Sequence, residues 1–472
     1  MKDIKIGIPL GGKMATRVLH QSSFRASLAE HGLKPVYFLW SKYFRSFEFD
    51  PEQYMELRVE EYDQYDQSRR LLRMMKKLRR FVVMTETTDL RFREEVESIL
   101  YDSHASEVGA YTLFTDFFRR LPNMGNTLLW LESQFYNPDF HAKEIKDSGL
   151  KCVLTPGIGN YGFGHAGNFA REAQKQNLPV FASITNYDNI VNMGFRGFTP
   201  TCLAVWSRQM ADEVIKFHDF SAKKIEITGP LQYDRFIQPL PLDRDTFLKS
   251  INLDSKKKTI FFAGGVNITR YFELYNLFVG QRSRVSSESF NLVIRPYPHM
   301  KLMGSPGWQV LEELFRKDGI YLSNPGSIDA AGDRSSEFHQ DLNFNEGPDE
   351  LSYLLRYSDV MINYFSTISL EAAICDLPVI HLGYDLYTYG HRFHLTSAFL
   401  QRQTHNRRKL RLAASRVAKN EDELIKYVNM YLEDRTLDRE ARYDYAVSEC
   451  GELDGQAGKR LVEMIKSRLQ AR

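Results

Sequence analysis

The stretch NYFSTISLEAAICDLPVIHL, residues 363–382, decides the fold because it joins two short apolar runs through a helix. The first run, at 359–363, and the second, at 378–382, each have the length and the apolar character of a buried strand. Between them, apolar residues recur at the spacing that gives a helix one buried face. A strand, a helix and a second strand in this order predict a parallel β-α-β unit.

Four polar residues stand at the start of that helix: Ser366, Thr367, Ser369 and Glu371. The free backbone N–H groups and the dipole of a helix start favour an anion, and hydroxyls add donors for phosphate oxygens. The competing interpretation is ordinary capping, with Ser366 as the cap. A capping box needs an acidic residue three positions after the cap, where this chain has Ser369, so capping leaves Glu371 unexplained. The pattern favours a nucleotide site in which Glu371 accepts from ribose hydroxyls.

The composition of the whole chain limits the kinds of protein it can be. Its 472 residues suit two domains. The net charge of +2 and the absence of a matching motif argue against a nucleic-acid-binding protein, so we expect no nucleic acid among its partners. We expect a cytoplasmic protein, since no apolar run approaches the roughly 18 residues of a membrane span and no signal peptide is recognisable. The four cysteines form no C-x-x-C pair, which indicates buried thiols rather than disulfides or a zinc site: Cys152, Cys202, Cys375 and Cys450.

The β-α-β alternation occurs in both halves of the chain, which are separated by the proline-rich crossover IQPLPLDRD at 237–245. Each half therefore predicts a parallel sheet, whose ligands bind at the carboxyl ends of the strands. We predict an α/β protein with two Rossmann-like domains facing across a cleft. Its parts are an N-terminal acceptor domain at 1–238 with a helical insertion at about 51–147, a nucleotide-sugar domain at 239–420, and C-terminal helices at 421–472 that pack back across the domains.

Two further segments of the second half are candidates for contacts with a nucleotide. FFAGG ends in Gly264 and Gly265, whose missing side chains let a ligand approach the backbone, although a tight turn is equally compatible. The spacing is not G-x-G-x-x-G, so the dinucleotide fingerprint is absent. In VIRPYPHMK, at 293–301, Arg295 and His299 follow a strand and suit phosphate, with a solvated, proline-stiffened turn as the alternative.

The first half offers candidates for a catalytic base. His165 lies in the glycine-rich segment GIGNYGFGHAGNF at 157–169, and Asp188 follows the end of a predicted strand. Either side chain is able to deprotonate an acceptor hydroxyl. His20, in the helix predicted at 17–31, is a weaker third candidate. For each of these residues alone, a role in a turn or a helix cap is the competing interpretation.

Two charged segments have alternative interpretations. Asp243 and Asp245 form a D-x-D pattern that is able to bind a metal, but they stand before an amphipathic helix whose positive end they suit, so we predict no metal site. The basic segment near 68–82 predicts either a helix with a core-facing stripe or a helix lying on an anionic membrane surface. The stripe consists of Leu71, Met75, Leu78 and Val82.

Three of these segments, in this order, resemble the motifs of GT-B glycosyltransferases, most closely bacterial surface-carbohydrate enzymes around the CDP-glycerol glycerophosphotransferase-like group. SITNYDNIVNMGFRGF (183–198), followed by VWSRQMADEVI, looks like the family's Trp-Asp-Asn motif, with Tyr187 as the aromatic residue. KIEITGPLQYDRF (224–236) is similar to its strand-Gly-x-Pro-x-x-Asp crossover. SDVMINYFSTISLEAAICDLPVI (358–380) resembles its donor-diphosphate motif. The match covers about residues 150–385.

The resemblance implies roles for the residues of the last motif. Ser366, Thr367 and Ser369 would contact the donor phosphates, and Glu371 would contact the ribose or the donor sugar. The Ser-Thr-x-Ser-x-Glu form departs from the Asp-Tyr-Ser-Ser pattern that is more frequent in glycerophosphotransferases. It looks more like the members that transfer sugars, so a sugar donor is expected rather than CDP-glycerol.

The loop after Arg295 also departs from the pattern of the family. Relatives often carry a His-Pro pair there, whereas this chain has Tyr297-Pro298, with the histidine displaced to His299. The resemblance implies a metal-independent bacterial glycosyltransferase of cell-envelope polysaccharide biosynthesis, without a cofactor. Its partners would be a nucleotide-sugar donor and a glycan or lipid-linked acceptor, at the inner face of the membrane. A sugar-nucleotide epimerase, a glycerophosphotransferase and a non-catalytic binding subunit stay open as alternatives.

Overall fold

The computed structural model describes residues 4–10, 13–20, 22–44, 48–102, 105–160, 164–265, 268–280, 282–285, 289–297, 305–323, 349–385 and 396–471. These residues form two compact units. One contains the described residues up to Asp234 and those from Ser448 onward, and the other runs from Arg235 to Val447. Each unit contains one parallel sheet with helices, so the predicted α/β class with two Rossmann-like units of the GT-B type is confirmed.

The first unit is built on a seven-stranded sheet in the order β3-β2-β1-β4-β5-β6-β7. Every described pairing in it is parallel, and Val153 of the central strand pairs with Gly7 on one side and Val180 on the other. The strands are β1 Ile4–Leu10, β2 Leu33–Trp40, β3 Tyr54–Leu57, β4 Cys152–Thr155, β5 Val180–Ser183, β6 Cys202–Val205 and β7 Ile225–Ile227.

Helices connect these strands, and the described residues between β3 and β4 form the helical insertion, α4 to α9. The helices are α1 Lys13–Leu19, α2 Ser22–Glu30, α3 Ser41–Phe44, α4 Val59–Ser68, α5 Arg70–Val82, α6 Glu86–Asp102, α7 Ala105–Arg120, α8 Met124–Phe135, α9 Ala142–Asp147, α10 Gly164–Lys175, α11 Asn189–Asn192 and α12 Arg208–His218. None of the described helices is long and apolar enough to cross a bilayer.

The second unit is built on a six-stranded parallel sheet in the order β10-β9-β8-β11-β12-β13. Its strands are β8 Lys258–Ala263, β9 Phe290–Arg295, β10 Tyr321–Leu322, β11 Val360–Asn363, β12 Val379–Leu382 and β13 Arg416–Ala418. The remaining helices are α13 Asp234–Ile237, α14 Arg244–Ser250, α15 Ile268–Gly280, α16 Pro306–Lys317, α17 Glu350–Tyr357, α18 Ile368–Ile374, α19 Ser397–Arg402, α20 Thr404–Arg411, α21 Glu421–Glu433, α22 Arg439–Cys450 and α23 Ala457–Gln470.

The last helix, α23, belongs to the core of the first unit. Leu461 and Ile465 are fully buried in the same apolar cluster as Ile8. The carboxylate of Asp234 accepts hydrogen bonds from the backbone N–H groups of Ala457 and Gly458, at 3.1 and 3.0 Å. These N–H groups open α23 and have no partner within the helix, so Asp234 stabilises its start. The crossover segment at 224–236 therefore has a structural role in holding the C-terminal helix.

Three sequence predictions about elements were wrong in detail. The helix predicted at 17–31 is two helices, α1 and α2, on either side of His20. The insertion predicted from residue 51 is preceded by β3, an edge strand of four residues that is mostly half-buried and so lacks a continuous apolar run. On α5, the buried position belongs to Leu72 rather than Leu71, which is 46% exposed.

Candidate functional site

The second sheet reverses its strand order between β8 and β11, since β9 and β10 extend to one side of β8 and β12 and β13 extend to the other side of β11. The strands are parallel, so all of them end at the same edge. Asn363, the last residue of β11, pairs with Ala263, the last residue of β8. The turns that follow, beginning at Gly264 and Tyr364, therefore leave the sheet side by side. Crevices at such reversal points are the usual ligand sites of α/β sheets.

The two glycines after β8 have different surroundings. A Cβ atom at Gly264 would overlap the ring and hydroxyl of Tyr271, whose hydroxyl donates to the carbonyl of Gly265 at 2.8 Å. A Cβ atom at Gly265 would meet nothing closer than the Cβ of Tyr364, at 4.0 Å. Gly264 is therefore required by the packing of a buried tyrosine, while Gly265 leaves its backbone open to a ligand.

The turn after β11 has an unusual backbone. Phe365 has φ of +52°, a left-handed conformation that bulky side chains rarely adopt. Its ring stacks on His381, with centroids 4.5 Å apart and 14° between the planes, and this contact holds the turn in place. Backbone strain of this kind is frequent at ligand sites. The strained residue directly precedes the hydroxyls of Ser366 and Thr367, which are both half-buried.

The hydroxyls of this turn do not cap the helix, so the competing interpretation, with Ser366 as the cap, was wrong. The N-cap position of α18 is Thr367, whose φ and ψ are already helical and whose side chain makes no capping hydrogen bond. Ser366 instead contributes its carbonyl, which accepts from the hydroxyl of Ser369 at 2.6 Å. Glu371 lies in the first turn of the same helix and is half-buried.

Ser369 belongs to a buried polar network behind the turn. It is 1% exposed, and its oxygen accepts from the amide of Asn363 at 3.0 Å and from the ammonium of Lys409 at 3.2 Å. His381 lies beside Asn363, with Nδ1 2.6 Å from the amide oxygen, and burial together with the nearby Lys409 lowers the pKa of His381 well below its usual value. The imidazole is therefore neutral at pH 7, and Ser369 positions the turn from behind.

Sequence reasoning missed Lys409. This residue lies on α20 and is 1% exposed, a rare environment for a lysine. Its ammonium also donates to the side-chain oxygen of Asn406 at 3.2 Å and lies 5.9 Å from the ring centroid of Phe365. A buried positive charge thus stands directly behind the turn that was assigned to phosphates. The only signal in the sequence was the basic run NRRK at 406–409, which does not distinguish a buried lysine from a solvated one.

Arg295 and His299 are less informative than the sequence suggested. The guanidinium of Arg295 donates to the hydroxyl of Ser323 at 2.7 Å and to Glu350 at 3.1 Å, so it joins the ends of β9 and β10 to α17. Tyr321 donates to the same carboxylate. His299 lies outside the described residues.

The first sheet also reverses its order, between β1 and β4, and a cavity of about 440 Å³ lies beyond β4. His165, at the start of α10, lines this cavity with Gly159 and Asn160. Burial lowers the pKa of His165 below its usual value, while Asp63, whose carboxylate lies 3.7 Å from Nε2, acts in the opposite direction. Nδ1 is buried and has no hydrogen-bond partner among the described residues. The cavity therefore presents a neutral imidazole beside glycine and amide groups and beside charged side chains, among them the ion pair of Lys76 with Asp66.

Asp188 does not line this cavity. It is 7% exposed, and its carboxylate accepts from the side-chain amide of Asn192 at 2.9 Å across the short helix α11. The two regions are connected, because Asn160 of the cavity donates to the carbonyl of Asn189 at 3.1 Å. His20 is 2% exposed beneath Tyr54, 3.0 Å from its hydroxyl, and burial lowers its pKa to about 4.

The D-x-D pair has protein partners in the structure. The carboxylate of Asp243 caps α14 by accepting from the N–H of Thr246 at 2.8 Å, and Asp245 pairs with Lys249 at 2.6 Å. Among the residues that the structure describes, no group of three or more His, Cys, Asp or Glu side chains is arranged to hold a metal ion.

The basic helix α5 packs into the insertion. Leu72, Met75 and Leu78 belong to an apolar cluster with residues of α8. Several of its cations are paired with carboxylates rather than displayed: Lys76 with Asp66 at 2.6 Å, Lys77 with Glu95 at 2.6 Å, and Arg79 with Glu132 at 2.7 Å. The packing favours the interpretation of α5 as a core-facing helix.

Comparison with known proteins identifies the fold but no family. No protein-family model and no curated protein matches the chain. A UDP-N-acetylglucosamine 2-epimerase superimposes with a TM-score of 0.50 at 13% identity, covering 100% of this chain and 98% of the other. The UDP-GlcNAc 2-epimerase of Neisseria meningitidis, bound to UDP-GlcNAc, gives 0.50 at 12%, covering 98% and 100%. A glycosyltransferase of Rickettsia africae gives 0.44 at 10%, covering 100% of both chains.

Proposed function

We propose that this chain is a glycosyltransferase that holds a nucleotide sugar in its second unit and transfers the sugar to an acceptor hydroxyl. The observation that carries the proposal is the reversal of strand order between β8 and β11, where an open glycine and a hydroxyl-bearing turn leave the sheet together. Two structures of the same fold are named as enzymes of UDP-GlcNAc, which supports a nucleotide sugar as the ligand.

In this proposal the donor diphosphate lies against the backbone at Gly265 and the hydroxyls of Ser366 and Thr367. Both side chains are half-buried. The Thr367 side chain makes no capping hydrogen bond, so its hydroxyl is able to donate to phosphate oxygens. Lys409 adds a positive charge from behind, in a buried setting where electrostatic attraction is stronger than in water. Glu371 accepts hydrogen bonds from hydroxyls of the ribose or the sugar.

The chemistry is a displacement at the anomeric carbon. A bond forms between that carbon and the acceptor oxygen, and the bond to the leaving phosphate oxygen breaks. Donors aimed at the leaving diphosphate stabilise the negative charge that develops on it, which is the largest single contribution in many enzymes. The proposal gives this role to the Thr367 turn and Lys409, and it uses no metal, since Asp243 and Asp245 are engaged at the start of α14.

The acceptor proton needs a base, and we assign it to His165. The imidazole is neutral at pH 7 because burial lowers its pKa, so it is able to take a proton. It lines a cavity of about 440 Å³, which is large enough for part of an acceptor sugar. Asp188 is the alternative base. The acceptor in this proposal is a growing surface glycan or a lipid-linked sugar at the inner face of the membrane.

An epimerase of the same fold is the second candidate function. It is favoured by the names of the two structures with TM-scores of 0.50, both of which are UDP-GlcNAc 2-epimerases. An epimerase needs acid and base groups around the donor sugar itself. Among the described residues, the donor contacts proposed here include one carboxylate, Glu371, and the Asp385 carboxylate near the same turn accepts from Tyr364. The proposal places the second substrate in the cavity at His165, and on this assignment transfer is favoured.

Product analysis tests the proposal. The purified chain is incubated with UDP-, GDP- and CDP-sugars and with CDP-glycerol, with and without a lipid-linked or oligosaccharide acceptor. We expect slow release of free nucleotide from one sugar donor, faster release with an acceptor, and no loss of rate with a chelator. An epimerised donor would support the epimerase, and glycerophosphate transfer would support the glycerophosphotransferase. Binding without turnover in the presence of every acceptor would indicate a binding subunit.

A further inference from the structure

A second cavity in the first unit lies beside α10 and shares Arg171 and Gly197 with the lining of the cavity at His165. Its volume is about 580 Å³, within the range of pockets that bind small molecules. It is formed by α8, the C-terminal half of α10 and the segment 196–199. Its lining residues include no carboxylate and three cationic side chains: Arg171, Lys175 and Arg196.

Arg196 is the most unusual of these cations. It is 4% exposed, and its guanidinium donates to the side-chain oxygens of Asn126 and Thr199, neither of which carries a charge. Its Nη1 is buried without a hydrogen-bond partner among the described residues. Burial lowers the pKa of Arg196 to about 10, while the nearby carboxylate of Asp219 acts in the opposite direction. A buried guanidinium with an unused N–H group is costly unless a partner is supplied, and an anion in the cavity would supply it.

Arg171 is incompletely paired as well. Its Nη2 donates to Glu132 at 2.7 Å, but the same carboxylate also pairs with Arg79 at 2.7 Å, so one negative charge is shared by two guanidinium groups. Nη1 of Arg171 is buried without a hydrogen-bond partner in the described part of the chain, and so is the hydroxyl of Tyr136, which lines the same cavity. Three residues that line this cavity, Arg196, Arg171 and Tyr136, thus each carry a buried donor without a partner among the described residues.

The rim of the cavity has the chemistry of a sugar site. Trp130 is 61% exposed, which leaves a flat aromatic surface available for the apolar C–H face of a pyranose ring. Gln174 and Ser133 also line the cavity. Gln174 donates to the carbonyl of Thr199 and Ser133 donates to that of Trp130. Their side-chain oxygens are able to accept from sugar hydroxyls.

We infer that this cavity binds an anionic saccharide, with a sugar ring stacked on Trp130 and its carboxylate or phosphate held by Arg196 and Arg171. The site shares Arg171 with the cavity at His165, whereas Arg196 and Trp130 line only this second cavity. All its lining residues belong to the first unit, while the proposed donor turn belongs to the second. Binding at this site does not depend on the reaction that the chain catalyses. A carboxylate of a uronic acid and a phosphate on a sugar share the required chemistry, and the experiment separates them.

Isothermal titration calorimetry with four probes tests this inference on the full chain. The probes are a trigalacturonate, glucose 6-phosphate, neutral maltotriose and inorganic phosphate. We expect one of the two anionic saccharides to bind at least tenfold more tightly than both maltotriose and phosphate, with affinity that falls as salt is added. Tighter binding of trigalacturonate would identify the anion as a carboxylate, and tighter binding of glucose 6-phosphate would identify it as a phosphate. Saturation with UDP should leave this affinity unchanged, because the donor site is elsewhere.

Two variants locate the binding. Trp130→Ala should weaken the tighter probe at least tenfold while leaving the melting temperature unchanged, since the side chain is mostly exposed. Phe117→Ala is the matched control, because Phe117 is also 61% exposed and lies on α7 outside the cavity lining, and it should change nothing. Arg196→Lys should weaken the same probe. Equal binding of maltotriose, no binding of either anionic saccharide, full affinity in Trp130→Ala, or competition by UDP would overturn the inference.

Discussion

The two sheets reverse their strand order at equivalent places, yet the residues that follow the strands make two different crevices. Beyond β4 of the first unit lies a cavity that contains a neutral histidine and ion pairs such as Lys76 with Asp66. Beyond β8 and β11 of the second unit lie Gly265, whose backbone is open to a ligand, hydroxyls that do not cap a helix, and the buried Lys409. The strand order indicates where a ligand is expected to bind, and the turn residues suggest its chemistry: in our proposal, proton transfer in the first unit and anion binding in the second.

The largest effect on activity is expected from a substitution in the crevice of the first unit. His165→Gln should lower kcat by about 10²–10⁴-fold, because the base that accepts the acceptor proton is lost. Since burial lowers the pKa of His165, the wild-type rate should fall with decreasing pH only below pH 6.5, and the variant should lose this dependence. His31→Gln, at the end of α2 and away from the cavity, is the control. An unchanged kcat in His165→Gln would show that His165 is not the catalytic base and would leave Asp188 as the candidate.

The glycine pair of the second crevice separates packing from binding. Gly264→Ala should lower the free energy of unfolding by about 1–3 kcal/mol, because the new methyl group overlaps the buried Tyr271 ring. Gly265→Ala, where the space is open, should leave thermal unfolding nearly unchanged and weaken nucleotide binding. Equal melting temperatures for the two variants would show that the surroundings of these glycines are not as described.

Removal of the buried cation should affect binding without affecting folding. Lys409→Met keeps the apolar stem of the side chain and removes the charge behind the Thr367 turn, so the Kd for a nucleoside diphosphate should rise more than tenfold, about 1.4 kcal/mol. The melting temperature should stay within a few degrees of the wild type, because the loss of the hydrogen bonds to Ser369 and Asn406 is offset by the removal of a charge from a buried site. Lys249→Met, at an exposed lysine of α14, is the calorimetric control. Unchanged affinity in Lys409→Met would remove this lysine from the donor site.

The smallest expected effect on nucleotide binding comes from Thr367, and it distinguishes the hydroxyl of Thr367 from that of Ser369. Thr367→Val should weaken nucleotide binding by about 1 kcal/mol, the contribution of one hydrogen bond, and leave stability unchanged because the hydroxyl does not cap α18. Ser369→Ala should instead lower stability, because its oxygen links Ser366, Asn363 and Lys409. If Ser369→Ala instead weakened only nucleotide binding, Ser369 would be assigned to the phosphate site, as the sequence predicted.

The sequence predicted the central strands of both sheets because they are buried on both faces and therefore appear as continuous apolar runs. It missed β3, β10 and β13, which are strands of two to four residues at sheet edges, with at most one fully buried position each. Strands this short and this exposed have no apolar run to recognise.

The site was predicted less completely than the fold. The motif at 363–371 was placed correctly at a strand end, but sequence spacing did not reveal that Ser369 is buried while Thr367 is half-exposed. The contribution of Lys409 depends on α20 packing behind a turn some forty residues earlier, which no local pattern encodes. Similarly, the pairing of Arg295 with Glu350 joins elements that are distant in the sequence.

The most direct test of the central claim is a crystal structure of the chain with a bound nucleoside diphosphate, chosen by a thermal-shift screen across UDP, CDP, GDP and ADP. The account predicts that the diphosphate oxygens lie within hydrogen-bonding distance of the Thr367 hydroxyl and the backbone N–H of Gly265, with the ribose near Glu371. A nucleotide bound away from the ends of β8 and β11, or no stabilisation by any of the four, would contradict it.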